Sequence, residues 1–147
     1  MPPTKAKSSK GIQLQRGDGG GSEVFTTIAE VTNITGPTEN AGELDATSFD
    51  STGMEFIGGL PDAGEVTFEV NFVGSNAQQQ GLRTDSRAGT LRNFKLVLPD
   101  HATDPTTVAF SALVTKPPEL SAAVNGVIKG SCTLKISGLP TWTYAPA

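Results

Sequence analysis

The sequence predicts a mainly β chain, a β-sandwich or small barrel of six or seven strands with one short flanking α-helix and a long inter-strand loop. Three observations carry this reading. Seventeen Gly and ten Pro punctuate 147 residues, too often for long helices and in keeping with short strands joined by many turns. Residues 65 to 73 alternate strictly: Val66, Phe68, Val70 and Phe72 fall on one face, and Glu65, Thr67, Glu69 and Asn71 on the other. That two-residue period marks a strand with one face in the core and one in water. Near the C-terminus Ile128, Cys132, Leu134 and Ile136 share a face in the same way.

The length fits one domain, with a flexible N-terminal arm over 1–10, a single β domain over 11–140 and a C-terminal tail over 141–147. The arm is polar and basic with two prolines, a composition that buries too little apolar surface to order itself. Residues 12 to 15 alternate as a short strand, and the glycine-rich run 17–21 turns the chain. A long strand is expected from about 23 to 35, rich in the Val, Ile and Thr that suit a pleated surface, and Gly36-Pro37 ends it.

Residues 38 to 53 then carry only Leu44 and Phe49 as large apolar side chains. Structureless loops beyond about 12–15 residues are uncommon in compact domains and tend to be functional. This loop reads as a segment that docks onto another surface. Strands are expected at 54–57 and 65–73. Ser75 and Gln78 have the spacing of a capping box, starting a helix over 76–87 that Gly89 ends; Gly81 costs it about 1 kcal/mol relative to Ala. Further strands follow at 90–98, 107–115 and 127–137, with Pro99, Pro105 and Pro117-Pro118 between them.

Charge and chemistry exclude several classes. Eleven basic against fifteen acidic residues give a net charge of −4, the wrong sign for a protein that grips phosphate. From Gly17 to Leu82 there is no Lys or Arg at all, although most of the carboxylates fall there. Cys132 is the only cysteine, so the fold stands without an internal disulfide. No signal peptide is recognisable, and no apolar run approaches the roughly 20 residues of a membrane helix.

His101 beside Asp100 could be imagined with Ser111 or Ser51 as a triad, but there is no G-x-S-x-G elbow, and a turn histidine is usually a solvated side chain. One His and one Cys do not make a zinc site, and Asp45, Asp50 and Glu55 lack calcium-loop spacing. The run 17–21 is not followed by the Gly-Lys-Ser/Thr of a phosphate loop. Arg16-Gly17-Asp18 and Asn33-Ile34-Thr35 are tripeptides common enough to arise by chance. Cys132 reads as a small buried hydrophobe. No catalytic, cofactor-binding or metal-binding residue is expected, and no enzymatic activity.

Over roughly 23–142 the chain resembles the major tail tube proteins of long-tailed bacteriophages, including related gene-transfer-agent tail tubes. The resemblance lies in the order and spacing of Ile28-Ala29-Glu30-Val31-Thr32-Asn33-Ile34-Thr35-Gly36-Pro37, Leu44-Asp45-Ala46-Thr47-Ser48-Phe49-Asp50-Ser51, and Glu55-Phe56-Ile57-Gly58-Gly59-Leu60-Pro61-Asp62-Ala63-Gly64-Glu65-Val66. Phe110-Ser111-Ala112-Leu113-Val114-Thr115 and Leu134-Lys135-Ile136-Ser137-Gly138-Leu139-Pro140 continue it.

The resemblance implies a subunit of a virion tail, made in a host bacterial cytoplasm, that assembles into stacked and typically hexameric rings. Double-stranded DNA passes through the resulting tube without specific binding. The implied partners are other copies of the chain and the tape measure, tail terminator and distal tail or baseplate proteins, with no membrane anchor. Head-to-tail contacts that close make rings, and the loop carrying Glu39, Glu43, Leu44, Asp45, Phe49 and Asp50 is the expected inter-subunit or inter-ring element.

Glu65, Thr67, Glu69 and Asn71 are candidate lumen-facing residues, where like charge would repel phosphate; an ordinary solvated sheet face is the alternative. The inner tube of a contractile injection or secretion system and a monomeric β-sandwich binding module are the rival readings. The second lacks an aromatic platform, because Trp142 and Tyr144 fall in the expected tail.

Overall fold

The computed structural model describes residues 3–146. Its main body is one antiparallel sheet of seven strands, built from β1 (Gln13–Gly17), β2 (Phe25–Thr27), β3 (Val31–Thr35), β6 (Glu65–Asn71), β7 (Leu91–Val97), β8 (Thr107–Ser121) and β9 (Lys129–Thr143). Their order across the sheet is β2-β1-β7-β8-β9-β6-β3, while β4 (Glu43–Asp45) and β5 (Phe56–Gly58) form a separate two-stranded sheet. One helix, α1 (Ala77–Ala88), completes the fold. The architecture is mainly β with one helix, as the sequence predicts, and the sheet is open rather than a closed barrel.

The topology forces that sheet to curl. Strands β2 and β3 are its opposite edges, yet only Ile28, Ala29 and Glu30 separate them in sequence. Laid flat, seven strands would put the edges about 29 Å apart, whereas so short a link reaches about 14 Å. The edges therefore come close, and the expected single strand over 23–35 is broken where the chain steps from one edge to the other. Glu30 makes the step in the left-handed region, at φ 54°.

Backbone bonds anchor both ends of this seam: the Ile28 amide donates to the Leu14 carbonyl (2.9 Å) and the Asn71 amide to the Glu30 carbonyl (2.9 Å). Gln79 of α1 bridges it. Its side-chain amide donates to the Ala29 and Asn71 carbonyls (3.0 and 3.1 Å), and its oxygen accepts from the Val73 amide (2.9 Å).

Alternation fills the inside of the curl. Leu14, Val66, Phe68, Val70, Phe94, Leu96, Val108, Phe110, Ala112, Val114, Cys132, Leu134 and Ile136 are all buried, joined by Leu82 from the helix and Ile28 from the seam. The Phe94 and Phe110 rings stack with centroids 5.8 Å apart. Phe72 and Ile128 were expected to extend this face but are 38% and 50% exposed. The β6–β9 pairing ends at Asn71 opposite Lys129, so both side chains lie beyond the last paired rung.

Strands β8 and β9 also run longer than expected. Pro117-Pro118 and Pro140 lie inside them, at or beside the register shifts between Lys116 and Glu119 and between Ala109 and Ser111, where no regular ladder bond is lost. Trp142 pairs with Val108. Residues 141–143, expected to belong to a C-terminal tail, are thus the end of β9.

The helix starts one residue later than the capping-box spacing suggests. Asn76, not Ser75, is the cap, its side-chain oxygen accepting from the Gln79 amide at 3.0 Å. At the other end Gly89 adopts φ 67°, with the Thr90 amide donating to the Asp85 carbonyl and the Gly89 amide to the Ser86 carbonyl, a left-handed ending that glycine tolerates without penalty.

Buried Asp85 ties the helix to the sheet. It accepts from Arg16 Nε (2.8 Å) and from Arg92 Nη2 (2.8 Å) and Nε (3.3 Å). Burial pushes its carboxyl up, but the hydrogen bonds and charges of Arg16 and Arg92 outweigh that and hold it below its ordinary value. Gly81 now has a reason: a Cβ there would lie 2.6 Å from the Arg16 guanidinium carbon, so glycine gives up helix propensity to let Arg16 reach Asp85.

Candidate functional site, an acidic apolar arm

The long loop is a projecting hairpin. β4 and β5 pair antiparallel with Glu43 opposite Gly58, Leu44 opposite Ile57 and Asp45 opposite Phe56. The tip is folded by its own polar groups. The Ala46 amide donates to the Glu55 carbonyl (2.9 Å), the Glu55 amide to Thr47 Oγ1 (2.9 Å), and Ser51 Oγ to Glu55 Oε2 (2.6 Å). Asp45 accepts from the Thr47 amide, and Thr47, through its side chain and then its backbone, lowers the Asp45 carboxyl pKa.

At the root, Asn40 and Asp62 exchange backbone bonds of 2.7 and 2.8 Å, and Trp142 Nε1 donates to Glu39 Oε1 at 3.1 Å. Lys135 lies 3.7 Å from Asp62. Gly42 and Gly64 allow tight approaches here; a Cβ on either would collide with the backbone of Leu60 or of Thr38.

Among the described residues nothing covers the arm's apolar side chains fully. Phe49 at its tip is fully exposed, Leu60 is 92% exposed, and Leu44, Met54, Phe56 and Ile57 are all more than half exposed. Leu44 and Ile57 project from one face of the hairpin, whereas Phe56 pairs with Asp45 on the other, so both faces carry apolar surface. Between β3 and β6 the chain also holds Glu39, Glu43, Asp45, Asp50, Glu55 and Asp62 with no Lys or Arg. A two-stranded hairpin is marginal in water on its own, and apolar surface gathered on one projection marks an interaction site.

The structure brings all six residues expected of the docking loop onto this arm: Glu39 at the root, Glu43, Leu44 and Asp45 in β4, Phe49 and Asp50 at the tip. Sequence reasoning missed Met54, Phe56, Ile57 and Leu60, because 54–57 reads equally well as a core strand. Pairing of Leu44 with Ile57 is the signal that joins the two halves.

Glu65, Thr67, Glu69 and Asn71 lie together on the outer face of β6. Their neighbours on β9 are Lys135, Thr133, Ser131 and Lys129 respectively, and Asn33 of β3 faces Glu69. The acidic stretch of sequence thus becomes a mixed face, with lysines opposite both ends and hydroxyls between.

The remaining polar candidates are engaged in local structure. His101 Nδ1 accepts from the Asp104 and Thr103 amides. Ser111 donates to Asn93, and Ser51 to Glu55. Arg16 of the Arg-Gly-Asp tripeptide is held by Asp85, while Asp18 folds its glycine turn by accepting from the Gly20 and Val24 amides. Cys132 is buried, which pushes its thiol up to about 12. Among the described residues no group of three His, Cys, Asp or Glu could hold a metal ion, and no helix is long and apolar enough to cross a membrane.

Comparison with known proteins agrees with this geometry. A sequence model described as phage tail tube, TTP, lambda-like matches residues 5–145. No curated protein matches significantly. Among solved structures, the tail of an empty gene transfer agent particle with C6 symmetry superposes with a TM-score of 0.71 at 21% identity, covering 94% of this chain and 99% of that one. The SPP1 tail tube gives 0.66 at 15% identity, covering 91% and 78%. A chain of the anti-feeding prophage baseplate, 6-fold symmetrised, gives 0.71 at 10% identity, covering 97% and 98%.

Proposed function

The chain belongs to the lambda-like phage tail tube family, a structural subunit of the virion tail, and from that premise we propose how it assembles. The subunits close into rings, six to a ring as in the C6 tail of the similar gene transfer agent, and the rings stack through the β4–β5 arm. One observation carries this: the arm's large apolar side chains lie on both of its faces and are each more than half exposed. Burying one such side chain is worth about 1.5–3 kcal/mol, and a subunit repeated along a tube gains that at every contact.

The outer face of β6 with Glu65, Thr67, Glu69 and Asn71 is proposed as the lumen wall. Its hydroxyl-rich middle and alternating charges give DNA no continuous cationic track to hold, so double-stranded DNA passes without specific binding. At the ends of the tube the partners are a tail terminator and distal tail or baseplate proteins, and inside it a tape measure. The subunit is proposed to perform no catalysis. Its one histidine and one cysteine are spent on a turn and on the core.

Replacing residues 43–58 by a short Gly-Ser linker tests the arm. The expected result is a chain that keeps its sheet and sediments as a monomer under conditions where the unsubstituted chain forms tubes in negative-stain images. Tubes of ordinary length and diameter from the armless chain would overturn the proposal.

A further inference from the structure

A cleft of about 370 Å³ opens between α1 and the strand ends beside it, lined among others by Phe72, Val73, Arg83, Arg87, Pro118 and Leu120. Phe72 and Leu120 are exposed there. Its lining includes no acidic residue, and among the described residues no carboxylate pairs with Arg83 or Arg87. Arg83 spends Nη2 on the Pro118 carbonyl at 2.7 Å, which fixes its guanidinium along the wall, and Arg87 stands free at the rim.

We propose that this cleft receives the β4–β5 arm of a second copy of the chain, its apolar walls taking Phe49 and its two arginines facing Asp50 and the neighbouring carboxylates. This rests on the assembly reading above and names the surface the arm meets.

Charge complementarity selects the occupant. The charged groups of the arm are all carboxylates beside exposed apolar side chains; those of the cleft are both guanidinium groups, beside Phe72, Val73, Pro118 and Leu120 and the uncharged Gln79, Gln80 and Thr84. The basic N-terminal segment, with Lys5, Lys7 and Lys10, has the wrong sign for it.

Elimination among the other cations points the same way. Arg16 and Arg92 are held by Asp85, Lys116 by Glu119, and Lys135 lies beside Asp62 at the arm's own root. Lys95 covers the Phe25 ring, Lys5 and Lys7 line a different hollow that also contains Asp100, Lys10 lines another beside Ser9, Thr32 and Asn33, and Lys129 stands on the sheet opposite Asn71. Arg83 and Arg87 are the pair that combines uncompensated charge with an apolar recess. Within one chain the arm tip and the cleft are both open, so each awaits another copy.

The test uses the full chain, in which buried Cys132 does not compete for oxidation. Thr52→Cys, which puts a thiol at the exposed arm tip and leaves Phe49 and Asp50 in place, and Thr84→Cys, which puts one in the cleft lining, are mixed, assembled and oxidised, with Thr52→Cys plus Thr27→Cys as the control pair. A mixed disulfide dimer from the first pair and none from the control is the expected result. In parallel, Arg87→Glu and Asp50→Arg should each lower tube yield at least tenfold while their monomers melt like the unsubstituted chain, and the double variant should recover most of it. Arg87→Gln should fall between.

Normal tubes from Arg87→Glu together with no 52-to-84 link overturn the cleft while leaving tube assembly standing. An unsubstituted chain that stays monomeric at every concentration overturns the assembly reading instead.

Discussion

The curled sheet and the β4–β5 arm use the same kinds of side chain in opposite ways. In the sheet, Val66, Phe68, Val70, Cys132 and Leu134 alternate into a closed core. In the arm, Leu44, Phe56 and Ile57 stand on a regular three-rung ladder, with Phe49 at its tip, and all four stay more than half exposed. Regular strand pairing therefore does not decide burial. What decides it is whether another layer is present: the sheet curls onto itself and takes Leu82 from α1, whereas the arm's apolar side chains stay more than half exposed. The sheet holds the monomer together, and in the proposed assembly the arm's exposed surface is what a neighbour covers.

Substitutions can break or sharpen that division. The largest effect is expected in the core: Phe68→Ala should lower unfolding free energy by about 3–5 kcal/mol, read by urea denaturation of the monomer. Asp85→Asn comes next, because it leaves Arg16 and Arg92 facing an uncharged group, at a cost of about 3 kcal/mol.

Its pH signature has a definite sign. Asp85 is held below its ordinary value of 3.8, so its contribution is complete above that pH and is lost as the pH falls through the lower folded value. Unsubstituted protein should lose this increment in acid, and the Asn variant should show a flatter acid limb; identical limbs would remove the triad from the stability account. Asn76→Ala should cost about 1 kcal/mol by uncapping α1.

Smallest for the monomer is Phe49→Ser, expected within about 0.5 kcal/mol of the unsubstituted chain, although it should weaken assembly about thirtyfold if about 2 kcal/mol of burial is lost at the contact. A Phe49→Ser monomer destabilised as strongly as Asn76→Ala would erase the distinction between the two regions.

Much of the sheet was legible because its signal is local. The alternation of residues 65 to 71 and 132 to 136 states which side faces in, and Gly89 states where the helix stops. Its closure was not legible: that two edge strands sit three residues apart follows from non-local pairing, and Glu30, an ordinary residue in a left-handed conformation, carries no sequence mark. Asp85 was equally silent, since a carboxylate on a polar helix looks solvated until Arg92 reaches back from the next strand and Arg16 arrives from β1, far off in sequence.

The arm was half legible. Its length and its isolated Leu44 and Phe49 set residues 38–53 apart as an expected docking element. Its return strand was expected as a short strand at 54–57 but not joined to the loop, because an apolar run states only that burial is wanted and not which molecule supplies it. The outer face of β6 shows the same limit: Glu65 and Glu69 look like an acidic wall until Lys135 and Lys129 come into register from β9.

Amide hydrogen exchange over residues 43–58, compared between monomer and assembled tube, tests the central claim most directly. If the arm is a marginal hairpin that a neighbouring subunit buries, its amides exchange fast in the monomer and slow by orders of magnitude in the tube, while β6 and β9 are protected in both. Arm amides that exchange equally fast in monomer and tube would contradict the account.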